Sequence, residues 1–204
     1  METQENSPIN AKRETILDAA TAAFRDEGYD CTSMDRIAEL AGASKRTVYN
    51  HFRSKDALFQ AVLARLLDAS AGLEELDWDA ERPLEDQLVD FAQAKAVLAE
   101  DAASLCLVRV VFGVFIKHPE LVRDVIARSS EQENSLVTWL RKADEAGRLA
   151  VPDPELAANV FWSMAKGALF WPQLLQGPMD AGTRNALMDE LVQTFLARYR
   201  PSSG

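Results

Sequence analysis

Histidine and cysteine are almost absent from this chain, with two of each in 204 residues. His51 and His118 cannot build a His-rich metal or general-base site, and Cys31 and Cys106 form no CxxC pair. A disulfide framework and a structural zinc site are therefore excluded as organising features. No GxSxG, HExxH, Walker or GxGxxG pattern occurs, so the chain is read as a non-enzyme with no catalytic residues, no metal and no cofactor. Positive charge is also in deficit. Twenty-two Lys plus Arg face 32 Asp plus Glu, a net charge of −10. A protein that coats nucleic acid or anionic membrane by bulk charge is thus ruled out, and any anionic partner must meet a local patch. Long apolar runs are missing as well. Val110 to Ile116, broken by Gly113, falls far short of the roughly 20 residues a bilayer needs, and Met1 to Asn10 is polar and acidic. The expectation is a soluble, cytoplasmic protein without a membrane partner.

Strand signals are scarce, and apolar residues recur at three- and four-residue spacing almost throughout, which predicts an all-α fold of about nine helices. Ile16, Leu17, Ala20 and Phe24 form a first stripe that Gly28 stops. Thr32 or Ser33 caps a short second helix carrying Met34, Ile37, Ala38 and Ala41 inward, and Gly42 closes it. Ser44 caps a third, from Lys45 to about His51, with Val48 and Phe52 on one face. Ser54 caps a fourth, with Leu58, Phe59, Val62, Leu63, Leu66 and Leu67. The acidic run DWDAERP, 77–83, marks the loop between two parts of the chain. Beyond it, helical patterns run over about 84–100, 103–117, 119–146, 154–175 and 181–198. The expected division is a flexible tail at 1–10, a DNA-binding domain at 11–56, a helical body at 57–200 and a second tail at 201–204.

Helices two and three are joined by Gly42, Ala43 and Ser44, the tight glycine-containing link of a helix-turn-helix. Such a turn lets the second helix offer its outer face to a DNA major groove. With Val48 and Phe52 turned inward, that face carries Lys45, Arg46, Thr47, Tyr49 and Asn50, which suit phosphates and base edges. Charge agrees with the placement. Residues 31–55 hold five basic and two acidic residues, whereas 56–204 hold 14 basic and 23 acidic.

The run TSMDRIAELAGASKRTVYNHFRSKDALFQAVL, Thr32 to Leu63, resembles the N-terminal signature of the TetR/AcrR transcriptional regulators. The likeness lies in the spacing of IA, the AG-x-S turn, T-x-Y-x-HF and SK-x-x-L-F. It implies a homodimer, usually a repressor, that binds a double-stranded palindromic operator and is released by a small molecule held in its C-terminal helical domain. It also places phosphate contacts on Thr32 or Ser33, Tyr49, His51 and Lys55, and base contacts on Lys45, Arg46, Thr47 and Asn50. With Ser44 at the turn, these make up the expected DNA-binding set. Arg46 departs from the small residue common at its position and can take a guanine bidentately.

In the body, Cys106, Phe112, Phe115, Trp139, Phe161, Trp162 and Met164 are the candidate lining of an apolar effector pocket, although aromatic residues at helical spacing equally suit a plain core. HPELVRDVIARSSEQENSLVTWLRKADEAGRL and DPELAANVFWSMAKGALFWPQLL, spanning His118 to Leu175, resemble the C-terminal domain of AefR-like family members, which implies dimerisation through the last two helices. Wide apolar faces there agree. Two other readings stay open: an effector-independent DNA-bound activator or scaffold, and a redox-sensing regulator using Cys31 or Cys106.

Overall fold

The computed structural model describes residues 8–68, 76–96, 102–121, 123 and 134–201. Among them are ten α-helices, one 3-10 turn, one π turn and no strand. In chain order the helices are α1 (Pro8–Glu27), α2 (Met34–Leu40), α3 (Lys45–His51), α4 (Lys55–Asp68), α5 (Leu84–Ala96), α6 (Ala102–Lys117), α7 (Asn134–Glu145), α8 (Pro154–Ala165), α9 (Trp171–Gln176) and α10 (Ala181–Tyr199). Within the helical pattern expected over 119–146 the described residues form a 3-10 turn at Pro119–Leu121, a helical residue at 123 and α7, and 122 and 124–133 lie outside the described residues.

Two compact units result, Met1–Leu66 with Cys106–Val125, and Leu67–Leu105 with Ile126–Gly204. The first is larger than the expected 11–56, because Leu58, Phe59, Val62 and Leu63 of α4 are buried. Phe59 meets Phe24 of α1 edge-on at 5.4 Å and Tyr29 at 4.9 Å. Burying such rings contributes about 1.5–3 kcal/mol each, enough to bind α4 to the N-terminal helices. Likewise α1 begins at Pro8, inside the stretch expected to be a tail.

The second unit is built on Leu88, Phe91, Trp139, Leu140, Phe161, Trp162, Phe195 and Leu196, all nearly inaccessible. Gln87, buried among them, holds the 77–83 loop. Its Oε1 accepts from the Asp79 N–H at 3.0 Å and the Trp139 Nε1–H at 2.9 Å, while its Nε2 donates to the Asp79 carbonyl at 2.8 Å.

The single helix expected over 154–175 is interrupted by a π turn at Lys166–Phe170. Pro172 explains it. Its ring would strike the carbonyl four residues earlier in a regular helix, and the wider turn avoids that clash. Gln173 then donates from Nε2 to the Leu169 carbonyl at 2.6 Å, and both residues are buried. Of the apolar residues on this rod, Ala157, Phe161, Ala165 and Leu169 face the core. Leu156, Val160, Trp171 and Leu175 are left outside.

Candidate nucleic-acid interface

The geometry begins with the caps of two short helices. Ser33 accepts the Arg36 N–H at 3.1 Å to start α2, and Ser44 accepts the Thr47 N–H at 3.1 Å to start α3. Between them α2 ends in a Schellman turn. The Gly42 N–H donates to the Glu39 carbonyl at 3.1 Å and the Ala43 N–H to the Ala38 carbonyl at 3.0 Å, with Gly42 at φ +53°. This left-handed residue reverses the chain in three positions and sets α3 against α2. Ile37, Val48 and Phe52 are buried beneath the pair, which fixes the outward face of α3 by elimination.

That face presents Lys45, Arg46, Tyr49 and Asn50 to solvent, with Thr47 half-buried. Their states differ. Lys45 Nζ lies 2.8 Å from Asp35 Oδ1, and this contact holds its ammonium above the ordinary lysine range. The Ser44 and Thr47 hydroxyls are 2.8 Å apart and share a hydrogen bond. Arg46 has no ion-pair partner among the described residues. His51 sits half-buried in the last turn of α3.

At the flanks, Thr32 departs from expectation. It is 2 % exposed, and its hydroxyl donates inward to the Gly28 carbonyl at 2.7 Å, with the Ala23 carbonyl at 3.2 Å. Its one hydrogen is thus spent on closing α1, and Ser33 is the surface member of the pair. Lys55 Nζ donates to the Tyr29 carbonyl at 2.9 Å and lies 4.3 Å from the Tyr29 ring centre. Carbonyls and rings leave its charge intact, so the ammonium is positioned rather than neutralised. Tyr29 itself donates to Asp56, and burial, followed by this carboxylate, pushes its phenol well above the usual range.

Sequence reasoning missed Lys12. Its Nζ lies 3.3 Å from the carbonyls of both Ala41 and Gly42, which places a cation from α1 on the end of α2. Twenty-nine positions separate these residues, and no local pattern signals the contact.

The expected effector lining is divided between the two units. Cys106, Phe112 and Phe115 lie in the first unit, where Cys106 is exposed and Phe115 is 40 % exposed. Trp139, Phe161 and Trp162 are sealed in the core of the second unit, with Met164 packed against it. They are no more than 2 % exposed, so in this conformation they are core and not the wall of an open space. A cavity of about 230 Å³ in the first unit is lined instead by Glu27 to Cys31, Val110, Gly113, Val114, Lys117 and His118. Among the described residues no cluster of three or more potential metal ligands occurs, and no helix is long and apolar enough to cross a membrane.

Residues 16–62 match the model of the bacterial regulatory proteins of the tetR family, and residues 86–201 match that of the AefR-like transcriptional repressor C-terminal domain. The chain belongs to the TetR family. It is 31 % identical over 196 residues to the transcriptional regulator RutR of Escherichia coli strain K12, covering 90 % of this chain and 84 % of the relative. A TetR-family regulator from Pseudomonas syringae pv. tomato str. DC3000 superposes with a TM-score of 0.74 at 33 % identity, covering 97 % of this chain and 99 % of the other. The Flavonoid-responsive Regulator FrrA gives a TM-score of 0.73 at 27 % identity, covering 95 % and 99 %. This TetR-family protein is a DNA-binding transcriptional regulator. Family members regulate transcription and are not enzymes, and they are typically dimeric on DNA operators.

Proposed function

We propose that this regulator binds a twofold-symmetric operator as a homodimer and represses until a small apolar effector releases it. The observation that carries the reading is the α2–turn–α3 geometry, with Arg46, Tyr49 and Asn50 outward on a helix whose opposite face is locked by Val48 and Phe52. Arg46 and Asn50 are the base-reading candidates, and Ser33, Ser44, Lys45, Thr47, Tyr49, His51 and Lys55 are assigned to phosphates or to positioning.

A second copy is supported by the outward stripe Leu156, Val160, Trp171 and Leu175, whose exposures run from 41 % to 75 %. Gly167, between Val160 and Trp171 and also exposed, permits close helix approach across a twofold axis. Such a dimer sets its reading helices about 34–36 Å apart or a multiple of that. The effector acts by population shift, parting the sealed aromatic core in a conformation that holds the reading helices out of register. A flavonoid-responsive neighbour of similar fold makes an aromatic, largely apolar compound the first class to try. Regulation takes place where the chromosome lies, in the cytoplasm.

Selection of bound fragments from genomic DNA, followed by titration of the winner, tests the reading. A twofold-symmetric site whose recognition weakens by about 1–3 kcal/mol in Arg46→Ala, with specificity relaxed at one base pair per half-site, supports it. Enrichment of no site, or an Arg46→Ala variant with unchanged affinity and specificity, refutes it.

A further inference from the structure

We propose that Asp35 limits how much of this regulator's DNA affinity is independent of sequence, by holding the Lys45 ammonium out of reach of the phosphates. The inference rests on the operator-binding reading and deepens it. Asp35 is the second residue of α2 and Lys45 the first of α3, so their ion pair bridges the two helices of the motif. Lys45 Nζ is 2.8 Å from Oδ1 and 2.9 Å from Oδ2 of Asp35.

Stability does not account for the pair. Its side chains are 61 % and 64 % exposed, and an exposed pair adds little to folding. On DNA the arrangement matters more. Sequence-independent affinity comes from net cations displacing counterions from phosphates. A lysine that keeps its carboxylate offers no net charge for that exchange. Arg46 next to it has no ion-pair partner among the described residues, so the helix keeps a cation able to read a base edge while the neighbouring cation is muted. Asp35 thereby raises the ratio of operator to random-sequence affinity, and Lys45 contributes only where a phosphate is placed well enough to displace the carboxylate.

The full-length protein is titrated with a random-sequence duplex and with the selected operator at about 50 and 200 mM salt. Asp35→Asn is expected to steepen the salt dependence on random DNA by about 0.9 per chain, or about 1.8 for the homodimer, which is roughly 12-fold in affinity over that range. Operator discrimination falls in step. The effect should vanish when Asp35→Asn is made in a Lys45→Gln background.

Unchanged salt dependence in Asp35→Asn overturns the gate. So does equal steepening when Lys45 is already glutamine, since Asp35 would then act by its own repulsion of phosphate and not through Lys45. If Asp35→Asn folds poorly by circular dichroism, Asp35→Ala measured with and without Lys45→Gln decides by the same two slopes. Wild-type protein that binds neither duplex overturns the operator reading and the gate with it, whereas binding with an unaltered slope overturns the gate alone.

Discussion

Gly42 is the position at which the geometry of the reading head can be tested most directly. Its φ of +53° lies where L side chains are disfavoured, yet a Cβ built there meets nothing within 4 Å. The cost of Gly42→Ala is therefore backbone strain without a clash, about 1–2 kcal/mol. For a chain of this size each kcal/mol shifts the melting temperature by about 2–4 °C, so a fall of roughly 2–8 °C is expected. Gly42→Asn should lose less, because its short polar side chain tolerates the left-handed region. Well below the transition both variants should still bind the operator, since the Ala38 and Glu39 carbonyl bonds and Lys12 hold the turn. Thermal unfolding followed by circular dichroism, with operator titration in the cold, checks both parts. An alanine variant as stable as wild type, or an asparagine variant worse than alanine, would refute the reasoning.

Gln87→Leu removes the only acceptor that the described structure gives to the Trp139 indole N–H, which is buried. It should cost about 1–3 kcal/mol in urea unfolding and loosen the 77–83 loop, seen as a change in tryptophan emission. For Asp30, the Lys117 hydrogen bond lowers the carboxyl below its usual 3.8. A depressed folded value stabilises above the unfolded one and is lost as pH falls through the folded one. The stability gap between wild type and Asp30→Asn should therefore be constant near neutrality and close below pH 3.8. A gap that widens in acid would reverse the sign.

What the sequence discloses of this fold is what local chemistry determines. Ser33, Ser44 and Ser54 each cap a helix by accepting a backbone N–H three residues on, and such bonds lie within one reading window. The recognition face follows from them, because Val48 and Phe52 define its opposite. Long-range partners are invisible to the same reading. Asp35 meets Lys45, Lys12 meets Ala41 and Gln87 meets Trp139 across 10, 29 and 52 positions. Trp139 and Phe161 show a different limit: residue type does not separate the wall of a pocket from a sealed core, and only their burial does. The π turn was within reach, since Pro172 sits inside an otherwise regular pattern and its missing N–H argues against an unbroken helix.

Ion pairing also changes what the charge count means. Among the cations on and beside the reading head are Lys12, Arg36, Lys45, Arg46, Arg53 and Lys55, and six phosphate contacts would give a salt slope of about 5.4 per chain. Arg36 is held by Glu27 at 2.8 Å and Glu39 at 2.9 Å, and Lys45 by Asp35. Lys12 and Lys55 touch carbonyls and keep their charge, and Arg46 and Arg53 have no ion-pair partner among the described residues. Four net cations remain, for a slope of about 3.6. On random-sequence DNA this is a loss of about 150-fold per chain between 50 and 200 mM salt, against about 1,800-fold per chain if all six engage, and the homodimer loses the square of either. A measured slope near the higher value would mean that the carboxylates give way whenever DNA approaches, and that the acidic side chains within the head do not restrain its grip.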